Sequence, residues 1–174
     1  MEIKWQVLEG NRLSAKQLHD ILALRSAIFV VEQTCPFQDI DGLDLLDDTL
    51  HVAGYSDDKL IAYTRVLNLS HSAEAIKITR VIVDGSVRGQ KLGVKLMEKT
   101  LSEIHALGLN TLDLKNLDLN NLDLKNSLNL RKSIKLSAQS HLQNFYASFG
   151  FDVISEEYLE DDIPHVDMQY VGPV

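Results

Sequence analysis

Residues 81 to 100 read VIVDGSVRGQKLGVKLMEKT, an apolar run, then a basic turn spaced by glycines, then a helical pattern. Arg88, Gly89, Gln90, Lys91, Leu92 and Gly93 form the turn. Backbone N–H groups at a helix start, backed by the helix dipole, make a natural anion site, with phosphate the obvious ligand. Gly89 and Gly93 let the backbone approach a ligand closely, while Arg88 and Lys91 bring positive charge to an otherwise acidic chain. An ordinary glycine-containing connection is the alternative. The turn is not a Walker A loop, which needs Gly-Lys-Ser/Thr, nor a dinucleotide fingerprint, because Gly-x-Gly-x-x-Gly is absent.

Other chemistries find less support. The six histidines and single cysteine show no His-x-x-x-His or Cys-x-x-Cys spacing, so no metal is expected. No Ser-His-Asp arrangement is readable from residue order alone. Cys35, beside Pro36, reads as a small packed loop residue before it reads as a reactive thiol. As the only cysteine it can form no internal disulfide, in keeping with a reducing compartment.

The elements that must position the turn follow from periodicity. KWQVL is a plausible first strand, and LSAKQLHDILALRSAIFVVEQ carries a helical stripe at Leu18, Ile21, Leu22, Ile28 and Phe29. Ser14 followed by Gln17 suggests a capping box. Arg25 falls in that stripe, where a structural ion pair is its expected role and a substrate contact the alternative. TCPFQDIDGLDLLDD reads as a loop with five aspartates, LHVAGYSDDKLIAYTRVL as a hairpin turning at Ser56 to Asp58, and AIKITRVIV as a further strand. Leu96, Met97, Leu101 and Ile104 set the register of the helix after the turn.

Length and composition bound the rest. The 174 residues, 45% hydrophobic, suit one domain spanning 1–174. A net charge of −8 argues against nucleic acid as partner, since counterion release needs clustered Lys and Arg. No run approaches the roughly 20 apolar residues of a membrane-spanning helix and the start has no apolar signal core, so a cytoplasmic protein without a membrane partner is expected.

Four stretches, FVVEQTCPFQDIDG, RVIVDGSVRGQKLG, AQSHLQNFYASFGF and DDIPHVDMQY, together resemble the ElaA-type subgroup of the GNAT N-acetyltransferases, in the family's order. The turn is similar to that family's acyl-CoA pyrophosphate loop, Arg/Gln-x-x-Gly-x-Gly/Ala, with Lys91 standing at the middle glycine and bringing a side chain to a crowded position. Tyr146 to Phe151 is similar to the Tyr-x-x-x-Gly-Phe ending of the acyl-CoA site.

The resemblance implies an α/β (α+β) GNAT acyl-CoA N-acyltransferase fold with a mixed, largely antiparallel sheet flanked by helices. It implies acetyl-CoA as co-substrate and N-acetyl transfer to a small-molecule amine or a protein amino group. Acetyl transfer to an amine needs a neutral nitrogen, a polarised carbonyl and a proton for the leaving thiolate. Tyr146 matches the family's general acid. Val81 and Val83 lie in RVIV, the strand that offers a backbone amide to the thioester carbonyl, with Val83 expected to make that contact. Gln139 matches a CoA-contacting amide, and Asn144 sits two residues before the acid. A general base is expected among Glu32, His51, Asp39, Asp41 and His165, with Glu32 first because it closes the long helix; helix-end solvation is its alternative. His141, near a helix start, is expected to be structural or exposed.

A degenerate Asn/Lys-Asn-Leu-Asp-Leu pentad fills about 110–131 and reads as an insertion between EIHALG and IKLSAQ. It is expected to be a low-complexity surface loop, with a short solenoid or hairpin as the alternative. Its leucines raise the prospect of a homodimer. The acidic stretches DIDGLDLLDD and EEYLEDD suggest a pocket that draws a cationic amine. A non-catalytic acyl-CoA-binding or protein-interaction module is the rival reading.

Overall fold

The computed structural model describes residues 2–35, 37–70, 74–111 and 133–172, without the side chains of 108–111. The pentad insertion, apart from the backbone of its first two residues, lies outside them. Among the described residues eight strands share one sheet in the order β1-β2-β3-β4-β5-β8-β6, with β7 pairing β8. They are β1 (Lys4–Glu9), β2 (Leu50–Ser56), β3 (Lys59–Leu67), β4 (Ile76–Val83), β5 (Ile134–Gln139), β6 (Phe151–Val153), β7 (Tyr158–Glu160) and β8 (Ile163–Tyr170). All the described pairings are antiparallel except β4 with β5. The expected mixed, largely antiparallel sheet flanked by helices is therefore present.

Side-chain alternation sends successive strand residues to opposite faces, and each face receives a helix. Helix α1 (Ala15–Arg25) places Ile21 and Leu24 on Ala53, Tyr55, Tyr63 and Ile82. Helix α2 (Leu92–Thr111) places Leu92 and Leu96 on Val52, Ile61 and Ala62 of the other face. Further along α2, Met97, Leu101 and Ile104 join Leu136, Val166 and Met168 in the second half of the core. Strand β3 is covered by both helices and buried from Leu60 to Leu67, which explains its almost unbroken apolar run.

The Ser14–Gln17 capping box forms: Gln17 N–H donates to Ser14 Oγ (3.2 Å) and Ser14 N–H donates to Gln17 Oε1 (2.9 Å). The expected single long helix does not continue regularly, because Ser26–Glu32 is π-helical. A π-helical turn widens the backbone locally and re-aims the side chains beyond it, a device common at functional sites. Here Phe29 and Gln33 turn toward β4 and β5.

Candidate active site

Strands β4 and β5 pair only through Ile76–Ile134 and Lys77–Lys135. Beyond that point they splay. Arg80 takes a left-handed conformation (φ +56°), and the β3–β4 register slips between Tyr63 and Arg65, so a bulge bends β4 away. The parting leaves a cavity of about 250 Å³. Strand β4 contributes Ile78 to Val81, β5 contributes Leu136, Ser137 and Gln139, and the π-helical turn with its following loop contributes Phe29, Gln33, Cys35 and Phe37. Tyr146, from the short helix α3 (Gln143–Ala147), closes one side. Glu160, Asp161, Ile163 and His165, from the β7–β8 hairpin, close another.

Tyr146 is 6% exposed, its ring set edge-on against Phe145 (5.1 Å) and Phe151 (6.3 Å). Burial pushes its phenol up to about 12, because the phenolate would lose solvation. The group is therefore a proton donor at neutral pH. Gln139 lines the cavity and its Nε2 donates to Gln33 Oε1 at 3.5 Å, a link from β5 to the end of the π-helical turn.

Val83 stands beside this cavity without lining it. Asp84 N–H donates to the Ile61 carbonyl (2.9 Å), and Val83 lies opposite Ala62. The alternation of an antiparallel ladder then turns Val83's own N–H and C=O away from β3, toward the side from which β5 has parted. Arg88 Nε donates to that carbonyl at 3.1 Å.

The basic turn leads directly into α2. Gly89 has φ +79° and open space around it, and Lys91 holds φ +59°, its carbonyl accepting the Lys95 N–H (3.2 Å). The first-turn amides of α2 have no intrahelical partner, as at any helix start. Lys91 is exposed, so its side chain does not crowd the loop. Gly93 lies where a Cβ would sit 3.5 Å from Phe145 and 3.9 Å from Val83, so the loop, β4 and α3 meet there.

Arg88 already has a partner within the protein. Its Nη1 and Nη2 donate to Glu32 Oε1 (2.6 Å) and Oε2 (3.0 Å), which offsets the charge it was expected to offer a phosphate. The same pair places Glu32 at the turn, outside the cavity that holds Tyr146. Asn144 is exposed on α3 and His141 is exposed just before it, and neither lines the cavity.

The acidic loop corrects another expectation. Asp39 and Asp44 are buried, and together with the more exposed Asp41 they are the counter-charges of three arginines. Arg25, fully buried, donates from Nε to Asp39 Oδ2 (2.9 Å) and from Nη1 to Asp44 Oδ1 (2.6 Å). Arg65 donates to Asp41 Oδ2 (2.6 Å) and Asp44 Oδ1 (2.8 Å), and Arg80 to Asp39 Oδ1 (2.7 Å). Burial alone would raise the Asp41 carboxyl, but the hydrogen bonds from Arg65 and Leu43 N–H and the charges of Arg65 and Arg80 hold it at about 2. His51 is spent in the same lock. Its Nε2–H donates to the Asp44 carbonyl (2.8 Å), its Nδ1 accepts from Tyr63 O–H (2.7 Å), and burial depresses its basicity. Sequence reasoning missed Arg80, which lines the cavity and lies over Phe37 (5.2 Å) and Phe29 (5.9 Å). A signal existed: β3 and β4 each carry Thr-Arg inside an apolar run, and a buried arginine requires a carboxylate.

The model of the acetyltransferase (GNAT) domain matches residues 47–153. The chain is 45% identical to the protein ElaA of Escherichia coli K12 over 166 residues, 95% of each chain. The crystal structure of E. coli ElaA superposes with a TM-score of 0.78 at 43% identity, covering 97% of this chain and 99% of that one. An acyl-CoA N-acyltransferase from Pseudomonas aeruginosa superposes equally, TM-score 0.78 at 37% identity, over 98% of this chain and 100% of that one.

Proposed function

Because this chain belongs to the GNAT acetyltransferases, in the ElaA-type subgroup, and is an acyltransferase using acyl-CoA, we propose that it moves an acetyl group from acetyl-CoA to a primary amine by direct attack. One observation carries the reading: the buried phenol of Tyr146 lines the cavity at the β4–β5 splay, and its neighbour Phe145 approaches Gly93 in the first turn of α2. The residues present suit acetyl-CoA. The turn before α2 is exposed with no Cβ at Gly89, and the outward N–H of Val83 lies between that turn and the cavity.

Acetyl-CoA supplies the acyl group activated as a thioester. The α2 amides, with Gly89, Gln90, Lys91, Leu92 and Gly93, hold the pyrophosphate; Lys91 adds the charge that Arg88 has given to Glu32. Val83 offers its N–H to the chain entering the splay, and Val81 and Gln139 line its path. Tyr146 keeps its proton at neutral pH and delivers it to the departing thiolate, a stronger base than the thioester sulfur it replaces. With Asp39, Asp41 and Asp44 neutralised, Glu160 and Asp161 are the carboxylates left to receive a cationic amine.

Calorimetric titration with acetyl-CoA, with 3′-dephospho-CoA and NADH as controls, tests the co-substrate. Saturable binding selective for acetyl-CoA is expected, followed by CoA release when amines are added. Absence of binding by folded protein would remove the reading, and binding without turnover would favour the non-catalytic module.

A further inference from the structure

The cavity contains one imidazole among the described residues, and its chemistry is set by the backbone beside it. His165 is half-buried on β8, opposite Gln139 of β5. Its Nδ1 lies 2.8 Å from the Ile163 carbonyl. A carbonyl only accepts, so Nδ1 carries the hydrogen and Nε2 keeps its lone pair. Tyr158 stacks on the ring (centroids 6.3 Å, planes 28° apart) and is itself held by Asp167 (2.9 Å) and Ser137. The imidazole is thus fixed in orientation and in tautomer, and Nε2 has no hydrogen-bond partner among the described residues.

We propose that His165 Nε2 is the base that takes the proton of the acceptor amine, in the cavity that Tyr146 also lines. The inference rests on the acetyl-transfer reading above. Glu32, the first expectation for this role, has both oxygens on Arg88, and His51 has both nitrogens bonded. Glu160 and Asp161 also reach the cavity and are assigned to receiving the ammonium, whereas the His165 ring is held by a backbone hydrogen bond and a stacked tyrosine with one lone pair left to accept a proton. Those two carboxylates, with Asp167, Tyr158, Tyr146, Arg80 and the Cys35 thiol, are the titratable and charged groups around it among the described residues. An ammonium drawn in by Glu160 and Asp161 loses a proton to bulk solvent and enters attack as the neutral amine. Its nitrogen then bonds to the thioester carbon while its remaining extra proton passes to His165 Nε2. The C–S bond breaks, the sulfur takes the Tyr146 proton, and solvent returns the His165 proton to the tyrosinate, leaving amide and CoA thiol.

The test uses the full chain with His165→Asn and His165→Gln. Asparagine keeps a donor for the Ile163 carbonyl while deleting Nε2. Long-range 1H–15N spectra of histidine-labelled protein, assigned by the signal lost in the variants, are expected to show the Nδ1–H tautomer; an Nε2–H tautomer overturns the proposal. Acetyl-CoA affinity should be the same in all three proteins. With 2-phenylethylamine, spermidine and a peptide bearing a free amino terminus as probes, kcat is expected to fall about a hundredfold in both variants with KM little changed, and the ascending limb of the pH profile to disappear. Unchanged kcat and profile in His165→Asn overturn the role of His165 alone. Acetyl-CoA binding without turnover of any probe overturns it together with the amine, and no binding overturns the acetyl-transfer reading itself.

Discussion

Glu32 grips Arg88 through both carboxylate oxygens, at 2.6 and 3.0 Å, and so ties the last residue of the π-helical turn to the basic turn before α2. Both side chains are nearly half exposed, so the pair contributes little to stability, on the order of 0–1 kcal/mol. Its consequence lies in binding. Glu32→Gln releases the Arg88 guanidinium for phosphate, and acetyl-CoA affinity should rise by roughly fivefold, about 1 kcal/mol, at low salt. Melting temperature and the pH–rate profile should stay as in the wild type. A lost ascending limb in that profile would return Glu32 to the role of base.

Tyr146→Phe removes a proton donor and leaves the packing against Phe145 and Phe151 in place. We expect kcat to drop by about 10²-fold or more, with acetyl-CoA affinity nearly unchanged. Burial raises the phenol to about 12, so wild-type activity should show no fall attributable to loss of this proton below pH 10. A rate equal to wild type in the variant would exclude Tyr146 from the chemistry.

The Asp41 carboxyl, held at about 2 by Arg65 and Arg80 against partial desolvation, makes stability depend on acid. Its folded value lies below the ordinary 3.8, so its contribution is complete above that value and is lost as pH falls toward 2. Because Asp41 is partly solvated, screening reduces what this shift contributes to stability. Asp84, held at about 2 by Lys59 and Ser86, adds to the same window. Denaturant unfolding of Asp41→Asn between pH 4 and pH 2 should therefore show a weaker pH dependence than wild type, from a lower starting stability. Equal slopes would mean that Asp41 is not held by the arginines in solution.

What was legible in the sequence was whatever a single segment could state by itself. The Ser14–Gln17 box, the turn at Asp57 and Asp58, and the stripe from Leu96 to Ile104 follow from local period and local hydrogen bonding. The Arg25 ion pair was foreseeable from an arginine in an apolar stripe, but not its partners, which lie 14 and 19 residues away. The lock of Arg25, Arg65 and Arg80 on Asp39, Asp41 and Asp44 joins one helix, two strands and a loop, and periodicity says nothing about such convergence. The π-helical turn was hidden for a related reason. Ser26–Glu32 continues the apolar pattern of α1, and only the wider backbone brings Phe29 over the cavity. His165 was one scattered histidine until the β5–β8 register set it opposite Gln139.

Lys91 is the sequence's visible departure from the glycine pattern of the anion turn, and its φ of +59° states the cost. A non-glycine residue in the left-handed region is strained by roughly 1–2 kcal/mol, of which the greater freedom of glycine in the unfolded chain takes back about half. Lys91→Gly should therefore stabilise the fold by about 1 kcal/mol, a rise in melting temperature of roughly 2–4 °C for a chain of this size. The exposed Lys91 ammonium has no ion-pair partner among the described residues, so the same change removes the charge proposed to compensate for the Arg88–Glu32 pair. Acetyl-CoA affinity should fall, and the fall should shrink as salt is added. Combining Lys91→Gly with Glu32→Gln should restore the affinity, since the freed Arg88 supplies the missing charge. Additive effects on binding in that double variant would agree with this exchange of roles, whereas no recovery would mean that Arg88 cannot reach the phosphates and that Lys91 alone serves them.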